Sequence, residues 1–302
     1  MGRYSLWGLL EKPKTNLAVN ELTLVNYYLW LKTIALSVFK WEGLPPTINE
    51  RYLEETLFNK GKCLFFYDNK LGFLSLACNP ANNVNVYGEP LSYYVSSYYY
   101  QKTISAGESV LIRNNDLEEP TQYQIAAFAN RLTETERTTD INLKAQKTPI
   151  LIITDDKSQL TLKNVYRQYS TGEPVIFGDK NFINADTIKV LKTDAPYIID
   201  KLDTHKQILW NEVLTFLGIQ NADTSKRERM IVDEVNANNQ NVIVNANVML
   251  KTRQDACDLI NEMFQDVLTE KISVSLRSEP ELTEMGVIDT DEEYIEKGEE
   301  NE

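Results

Sequence analysis

A long helix with a polar middle is the strongest constraint that this sequence places on a fold. The pattern of residues 122–147 predicts one continuous helix, because Pro120 precedes its first turn and Pro149 follows its last. Residues 133–140 read TETERTTD, which is polar on every side. Such a helix has little core in its own chain and is bridged by solvent or by neighbours. We therefore expect a component of a ring or bundle.

A second long helix is predicted from about Asp194 and Pro196 to Gly218, which is a suitable C-terminal cap. The stretch between the two helices predicts a compact α/β insert. Its strands are expected at 150–153, 175–177 and 188–191, with a short helix at 162–169. Two long helices around a small insert are typical of an α+β subunit.

The N-terminal part of the chain predicts a helix followed by short strands. Apolar residues from Leu24 to Phe39 recur every three or four positions, as in an amphipathic helix. Aromatic and β-branched runs then alternate with Asn, Asp, Pro and Gly, which predicts one small antiparallel β module. The runs are 63–67, 71–78, 84–87, 91–100 and 110–113.

The C-terminal part predicts a helix at 225–235, then a mobile Asn-rich loop at 236–241. A further helix is expected to start at Thr252, which has capping-box spacing to Asp255, and a strand follows at 272–276. Residues 279–302 contain eleven acids and one base, out of 44 acids and 31 bases in the chain. Such a segment cannot bury enough apolar surface to order itself, so we expect disorder after about residue 280.

The residue inventory argues against most enzyme classes. His205 is the single histidine, whereas most familiar catalytic and zinc sites that use histidine need it at two or more positions. No P-loop or dinucleotide-binding motif is present, and the three cysteines form no CxxC pair, which favours a reducing cytoplasmic setting. Adjacent acids such as Asp155 and Asp156, or Asp200 and Asp203, are better explained as solvated turns than as a magnesium site. We expect no catalytic site, metal, cofactor or membrane span.

Seven collinear segments carry a resemblance to a known family. Starting at residues 41, 145, 159, 174, 192, 210 and 227, they read WEGLPPTIN, AQKTPILI, QLTLKNVYRQY, PVIF, KTDAPYIIDKL, WNEVLTFLGIQNA and RERMIVDEV. They closely resemble the portal protein, also called upper collar or head–tail connector, of small short-tailed phages with protein-primed linear DNA genomes. The resemblance covers most of residues 25–280.

This resemblance implies a portal fold and a dodecameric ring at one vertex of the capsid, through which double-stranded DNA is packaged and ejected. It implies no enzymatic activity. It also implies a virion protein that assembles in the host cytoplasm. The implied regions are an N-terminal arm (1–24), wing (25–118), first stem helix (119–147), clip (148–192), second stem and wing helices (193–235), channel loop (236–251), crown (252–279) and acidic tail (280–302).

Channel residues follow from the resemblance combined with charge. A DNA conduit must avoid tight phosphate binding, so a few cations repeated around a ring are preferred. The same side chains could equally be solvated or paired between subunits. The candidates are Lys201 and Lys206 on the second stem helix, Lys226, Arg227 and Arg229 near the loop, and the loop residues Asn236, Asn238, Asn239, Gln240 and Asn241.

Other prominent side chains have simpler explanations. His205 lies on the apolar stripe of the second stem helix, which favours a packed or interface histidine. The tyrosines of the β module favour cross-strand or subunit contacts over base stacking. They are Tyr93, Tyr94, Tyr98, Tyr99 and Tyr100.

The implied partners are further copies of the chain, DNA, the major capsid and scaffolding proteins, the lower collar or tail protein, the packaging ATPase and a packaging RNA. Residues 1–20 contain only Arg3, Lys12 and Lys14 as basic side chains, so RNA binding by this arm is in doubt. Trp7, Leu9 and Leu10 favour a protein partner there instead. Two other functions stay open: a tail collar or adaptor that does not surround DNA, and a metal-dependent nuclease using Asp155, Asp156 or Asp194.

Overall fold

The structure is a computed structural model that describes residues 16–81, 83–146, 150–152, 188–190, 196–220 and 232–286. It divides into two compact units. The first consists of Met1–Glu134 and His205–Glu302, and the second of Thr135–Thr204. Helices and strands are mixed throughout, so the predicted α+β class is confirmed. Among the described helices, none combines the length and apolar character needed to cross a bilayer.

Three helices contribute to the main core of the first unit: α1 (Asn16–Ser37), α3 (Gln122–Gln146) and α4 (Ile199–Leu217). Their apolar stripes pack together because each stripe follows the helical repeat. The ring centroids of Trp30 and Trp210 lie 4.4 Å apart, joining α1 to α4. Those of Phe128 and Phe216 lie 5.9 Å apart, joining α3 to α4. All three predicted helices are confirmed.

The polar middle of α3 is less exposed than the sequence predicts. Thr133 is buried, and its hydroxyl donates to the carbonyl of Ala129 one turn earlier. Because that bond satisfies the hydroxyl within the helix, the side chain packs like a small apolar residue. The expectation that this stretch has little core in its own chain is therefore wrong at Thr133.

The predicted β module consists of two antiparallel three-stranded sheets rather than one. The order of the first is β3-β2-β7, and that of the second is β4-β5-β6. The predicted strand at 84–87 is wrong, because Val84 forms only an isolated bridge with Pro90. The strands are β2 (Lys62–Asp68), β3 (Gly72–Leu76), β4 (Cys78–Pro80), β5 (Ser92–Ser96), β6 (Gln101–Ser105) and β7 (Ser109–Arg113).

Strand β2 is buried on both faces and joins two cores. Phe65 belongs to the main apolar cluster, which also includes buried side chains of α2 (Glu50–Lys60). Leu64 and Phe66 belong to a smaller cluster with the β4-β5-β6 sheet. A strand covered on both sides has no polar face, which explains the unbroken run CLFF at residues 63–66.

A single helix, α5 (Val232–Met263), replaces the predicted loop and the helix after it. The loop prediction for 236–241 is wrong in backbone conformation, and so is the helix start at Thr252. Asparagine costs a helix only about 0.7 kcal/mol per residue. Further along the helix, Val242, Ala246 and Met249 are buried, and tertiary packing of this kind outweighs weak propensity. The predicted helix at 225–235 lies mostly outside the described residues.

Strand β1 (Phe39–Glu42) pairs antiparallel with β10 (Ser273–Leu276), which confirms the predicted C-terminal strand. A short helix, α6 (Glu279–Glu284), follows. Disorder from about residue 280 is therefore wrong up to Glu284. A capping box between Ser278 and Glu281 stabilises the start of α6, and Leu282 is buried.

We expect α6 to detach from the body in acid. The backbone N–H of Ser278 and the ammonium of Lys40 lower the pKa of Glu281 from 4.5 to about 2. A depressed carboxyl pKa stabilises the docked state above about pH 4.5, and this stabilisation is lost as the pH falls towards 2. The protection of residues 278–286 against hydrogen exchange, corrected for the pH dependence of the intrinsic exchange rate, should fall over that window. Glu281→Gln should show low protection already at neutral pH, and identical protection in this variant and the wild type would contradict the prediction.

In the second unit, β8 (Ile150–Ile152) pairs antiparallel with β9 (Ile188–Val190). The strands predicted at 150–153 and 188–191 are thus confirmed. The strand predicted at 175–177 and the helix at 162–169 lie outside the described residues.

Candidate channel helix and partner surfaces

The start of α4 is held by a buried amide on α3. The side-chain nitrogen of Asn142 donates to the carbonyl of Pro196 at 2.8 Å, and its oxygen accepts from the N–H of Ile198 at 3.3 Å. The first N–H groups of a helix have no partner within it, so Asn142 supplies one from a neighbouring helix. This contact fixes where the candidate channel helix begins.

Asn142→Ala is expected to destabilise the second unit by about 1–3 kcal/mol, because it removes two partly buried hydrogen bonds. Hydrogen exchange at Ile198 and Ile199 should accelerate relative to the wild type. Asn142→Asp keeps the acceptor for Ile198 and loses the donor to Pro196. Its exchange rate should therefore lie between those of the wild type and Asn142→Ala. Equal exchange in all three proteins would contradict the assigned role.

Lys201 lies exposed in the first turn of α4. Two exposed acids, Asp200 and Asp203, flank it in the sequence. A cation placed between two acids attracts phosphate only weakly, because the three side chains together carry a net charge of −1. The geometry therefore permits loose contact with an anionic polymer and disfavours tight binding.

Lys206 lies in a different environment from Lys201. Its ammonium is 5.8 Å from the ring centroid of Tyr27 on α1, in a cation–π contact. The two lysines are five positions apart on one helix, which turns them about 140° from each other around its axis. They do not share one face of α4.

The remaining sequence-predicted channel residues are less well placed. Lys226, Arg227 and Arg229 lie outside the described residues. The backbones of the loop candidates Asn236, Asn238, Asn239, Gln240 and Asn241 are helical, within the first three turns of α5. The structure thus places these five on a helix instead of a loop.

His205 is exposed on α4, so it is not packed within the described part of the chain, and the alternative of an interface histidine stays a prediction. The apolar face of the helix in the first unit consists of Leu209, Val213 and Leu217. His205 is four residues before Leu209 and continues that stripe in the sequence. At this end of the helix, no described residue covers that position.

The tyrosines of the β module divide into two groups. Tyr93 is buried opposite Ile104, and the hydroxyl of Tyr100 donates to Asp68 at 2.8 Å, so cross-strand packing is confirmed for these two. Tyr94 faces Asn79 and Thr103 and is partly exposed. Tyr98 and Tyr99, in the β5–β6 turn, are 91% and 95% exposed and contact each other edge to face.

A buried ionic cluster surrounds Arg253 on α5, and the local sequence patterns did not predict it. Its guanidinium binds both carboxylate oxygens of Glu54, at 3.0 and 2.9 Å. It also donates to the backbone and side-chain oxygens of Asn114 and to the carbonyl of Met249. All five N–H donors of the guanidinium are therefore satisfied. Trp41 donates to the same Glu54 carboxylate at 2.8 Å.

This cluster connects four parts of the first unit through the Arg253–Glu54 ion pair. Arg253 is on α5, Glu54 on α2, Trp41 on β1, and Asn114 follows β7. The sequence does carry one signal for it. Met249, Arg253 and Ala256 share one helical stripe, so a charged residue occupies an otherwise apolar position.

The three cysteines are buried and free. Desolvation raises the pKa of each thiol to about 12, for Cys63, Cys78 and Cys257 alike. Because the thiolate is the reactive form, these side chains are inert in the native fold.

The nuclease hypothesis receives no support from the described part of the chain. Within it, no three acidic, histidine or cysteine side chains converge as a metal site would require. Asp155, Asp156 and Asp194 lie outside it.

Comparison with known proteins identifies the family. A sequence profile of the family described as Phage Connector (GP10) matches residues 8–279. The fold is similar to a chain in the portal and tail of native bacteriophage P68, with 12% identity, a TM-score of 0.49, and coverage of 93% of this chain and 94% of that one. It is also similar to an HK97-family phage portal protein from Corynebacterium diphtheriae, with 10% identity, a TM-score of 0.43, and coverage of 92% and 100%. Since the family profile spans almost the whole sequence, the chain belongs to the phage connector family, whose members form the portal that joins a phage head to its tail.

Proposed function

We propose that this chain assembles into a dodecameric ring at the capsid vertex and conducts double-stranded DNA during packaging and ejection. The family match over residues 8–279 carries this proposal. The ring would belong to a short-tailed phage with a protein-primed linear genome. The subunit acts as a structural conduit and not as an enzyme, and its place is the portal vertex of the virion after assembly in the host cytoplasm.

The proposed regions follow the family resemblance. Residues 119–147 and the second stem helix within 193–235 line the channel, residues 148–192 form the clip, and 25–118 form the wing. The proposed partners are the major capsid and scaffolding proteins, the lower collar or tail protein, the packaging ATPase and a packaging RNA. The acids on both sides of Lys201 support a channel wall that does not hold DNA tightly.

Electron microscopy and native mass spectrometry of the purified full-length protein test this proposal. A closed particle of twelve chain masses, each 34.7 kDa, with a central hole wide enough for duplex DNA is the expected result. A monomer would contradict ring formation. A ring whose hole is too narrow for DNA would favour a collar or adaptor that does not surround the genome.

Lys201→Ala is expected to change DNA retention without changing assembly. In a ring of twelve copies the variant removes twelve positive charges from one level of the channel, which lowers the salt dependence of DNA binding. Packaged DNA should leave filled heads faster over a range of salt concentrations. Lys70→Ala, which removes an exposed lysine from the turn between β2 and β3, is the matched control. Equal retention in both variants would remove Lys201 from the channel.

A further inference from the structure

Two helices of the first unit expose apolar side chains to solvent. On α1, Val25, Leu29 and Trp30 are between 46% and 54% exposed, and we call them the α1 patch. On α5, Ile243, Val244 and Val248 are between 50% and 61% exposed, and we call them the α5 patch. Half-exposed apolar residues that follow a helical repeat form a continuous stripe, which marks a contact surface more clearly than scattered residues do.

The α1 patch has a rigid centre. The ring of Trp30 rests against that of Trp210 at 4.4 Å, so its orientation is fixed before any partner arrives. Large aromatic anchors held in this way contribute strongly to interfaces, because little side-chain entropy is lost on binding.

A charge of opposite sign borders each patch. Glu21 lies one turn before Val25 on α1, and Lys251 lies one turn after Val248 on α5. Both are exposed, and neither forms an ion pair with any residue in the described part of the chain. Each therefore keeps a full charge available for a partner at the edge of an apolar stripe.

We propose that the α1 patch of one subunit packs antiparallel on the α5 patch of the next subunit. This inference rests on the ring proposed above. A ring needs head-to-tail contacts between two different surfaces, and these two patches meet that need. The register pairs Leu29 with Val244, Val25 with Val248, and Glu21 with Lys251.

The spacing and the charges select this orientation. Positions 21, 25 and 29 lie one turn apart on α1, and positions 244, 248 and 251 lie about one turn apart on α5. In the antiparallel orientation the two charges meet at one end and apolar residues fill the rest. A parallel orientation would place Glu21 on Val244 and Lys251 on Leu29, which would bury two charges against apolar side chains.

Cysteine cross-linking tests the contact. We would introduce Leu29→Cys and Val244→Cys singly and together, then add a short bismaleimide that joins nearby thiols. The native cysteines are buried, so they give little background. The double variant should give a ladder of covalent multimers, and each single variant should give almost none. Dimers from Leu29→Cys alone would show that like patches meet and would overturn the proposal.

The mass of each particle separates this proposal from the ring itself. A wild-type monomer would overturn both. A ring that forms normally but gives no cross-link in the double variant would overturn only the α1–α5 contact.

A charge exchange tests the register independently. Glu21→Lys and Lys251→Glu should each lower the salt concentration at which the ring dissociates, and the combined variant should recover most of the loss. Glu262→Lys, on the exposed side of α5 beyond the patch, should leave dissociation unchanged. No recovery in the combined variant would overturn the pairing of Glu21 with Lys251.

Discussion

Arg253→Met is expected to lower the free energy of unfolding of the first unit by about 3–5 kcal/mol. The variant leaves Glu54 as a buried carboxylate, and among the described residues Trp41 is then its one side-chain donor. It also removes the donors to the carbonyls of Asn114 and Met249 and the cation 3.9 Å from the Phe39 ring. A buried charge without its partner is costly because neither water nor a counter-ion replaces it.

The measurement is the midpoint urea concentration of unfolding. Unfolding is monitored by tryptophan fluorescence and by the labelling of Cys257, which becomes exposed as the protein unfolds. Arg277→Met is the matched control, because Arg277 pairs with Glu50 on the same helix α2 but in a partly exposed site. That variant should cost less than about 1 kcal/mol. Equal midpoints for the two variants would contradict the role assigned to burial.

A second large effect is expected at Gly218, where α4 ends. Its backbone is left-handed, with φ of 77°, and the N–H of Ile219 donates to the carbonyl of Leu214, as in a Schellman motif. A Cβ at this position would lie 2.5 Å from the Cβ and 2.7 Å from the Cα of Ala246 on α5. Gly218→Ala should therefore cost about 1–2 kcal/mol for the backbone and about 1–3 kcal/mol more for overpacking.

Gly88→Ala isolates the backbone part of this cost. Its φ is 80°, and nothing lies within 4 Å of a Cβ built there. Thermal unfolding should thus show a larger drop for Gly218→Ala than for Gly88→Ala. Adding Ala246→Gly should recover part of the difference, since it removes the nearest atom. If Gly218→Ala and Gly88→Ala lower the unfolding temperature equally, α4 and α5 do not approach as closely as the structure indicates.

Periodicity was enough to predict most helices and strands of the described chain. The stripes of α1 and α4, the cap at Gly218 and the alternation of β10 all follow from local rules. The continuity of α5 could not be predicted in this way. Its Asn-rich start opposes a helix locally, and only the burial of Val242 and Ala246 against distant residues explains why the helix continues.

The candidate site was predicted less well than the fold. Charge and helix assignment indicated Lys201 and Lys206, but the contact of Lys206 with Tyr27 depends on how α1 packs. The partners of Arg253 are up to 199 positions away in the chain, beyond the reach of any local pattern. His205 is exposed although it lies on an apolar stripe, because such a stripe is buried within the chain only where another element covers it.

The first unit of this subunit can finish folding only after β1 has paired with β10. Residues 39–42 pair with residues 273–276, and Lys40 pairs with Glu281, 241 positions later. During synthesis the early strand therefore has no partner until residues 273–276 have left the ribosome. Contacts between such distant residues form late, since loop closure opposes them. A nascent subunit thus lacks its completed body until residues 273–281 have emerged from the ribosome.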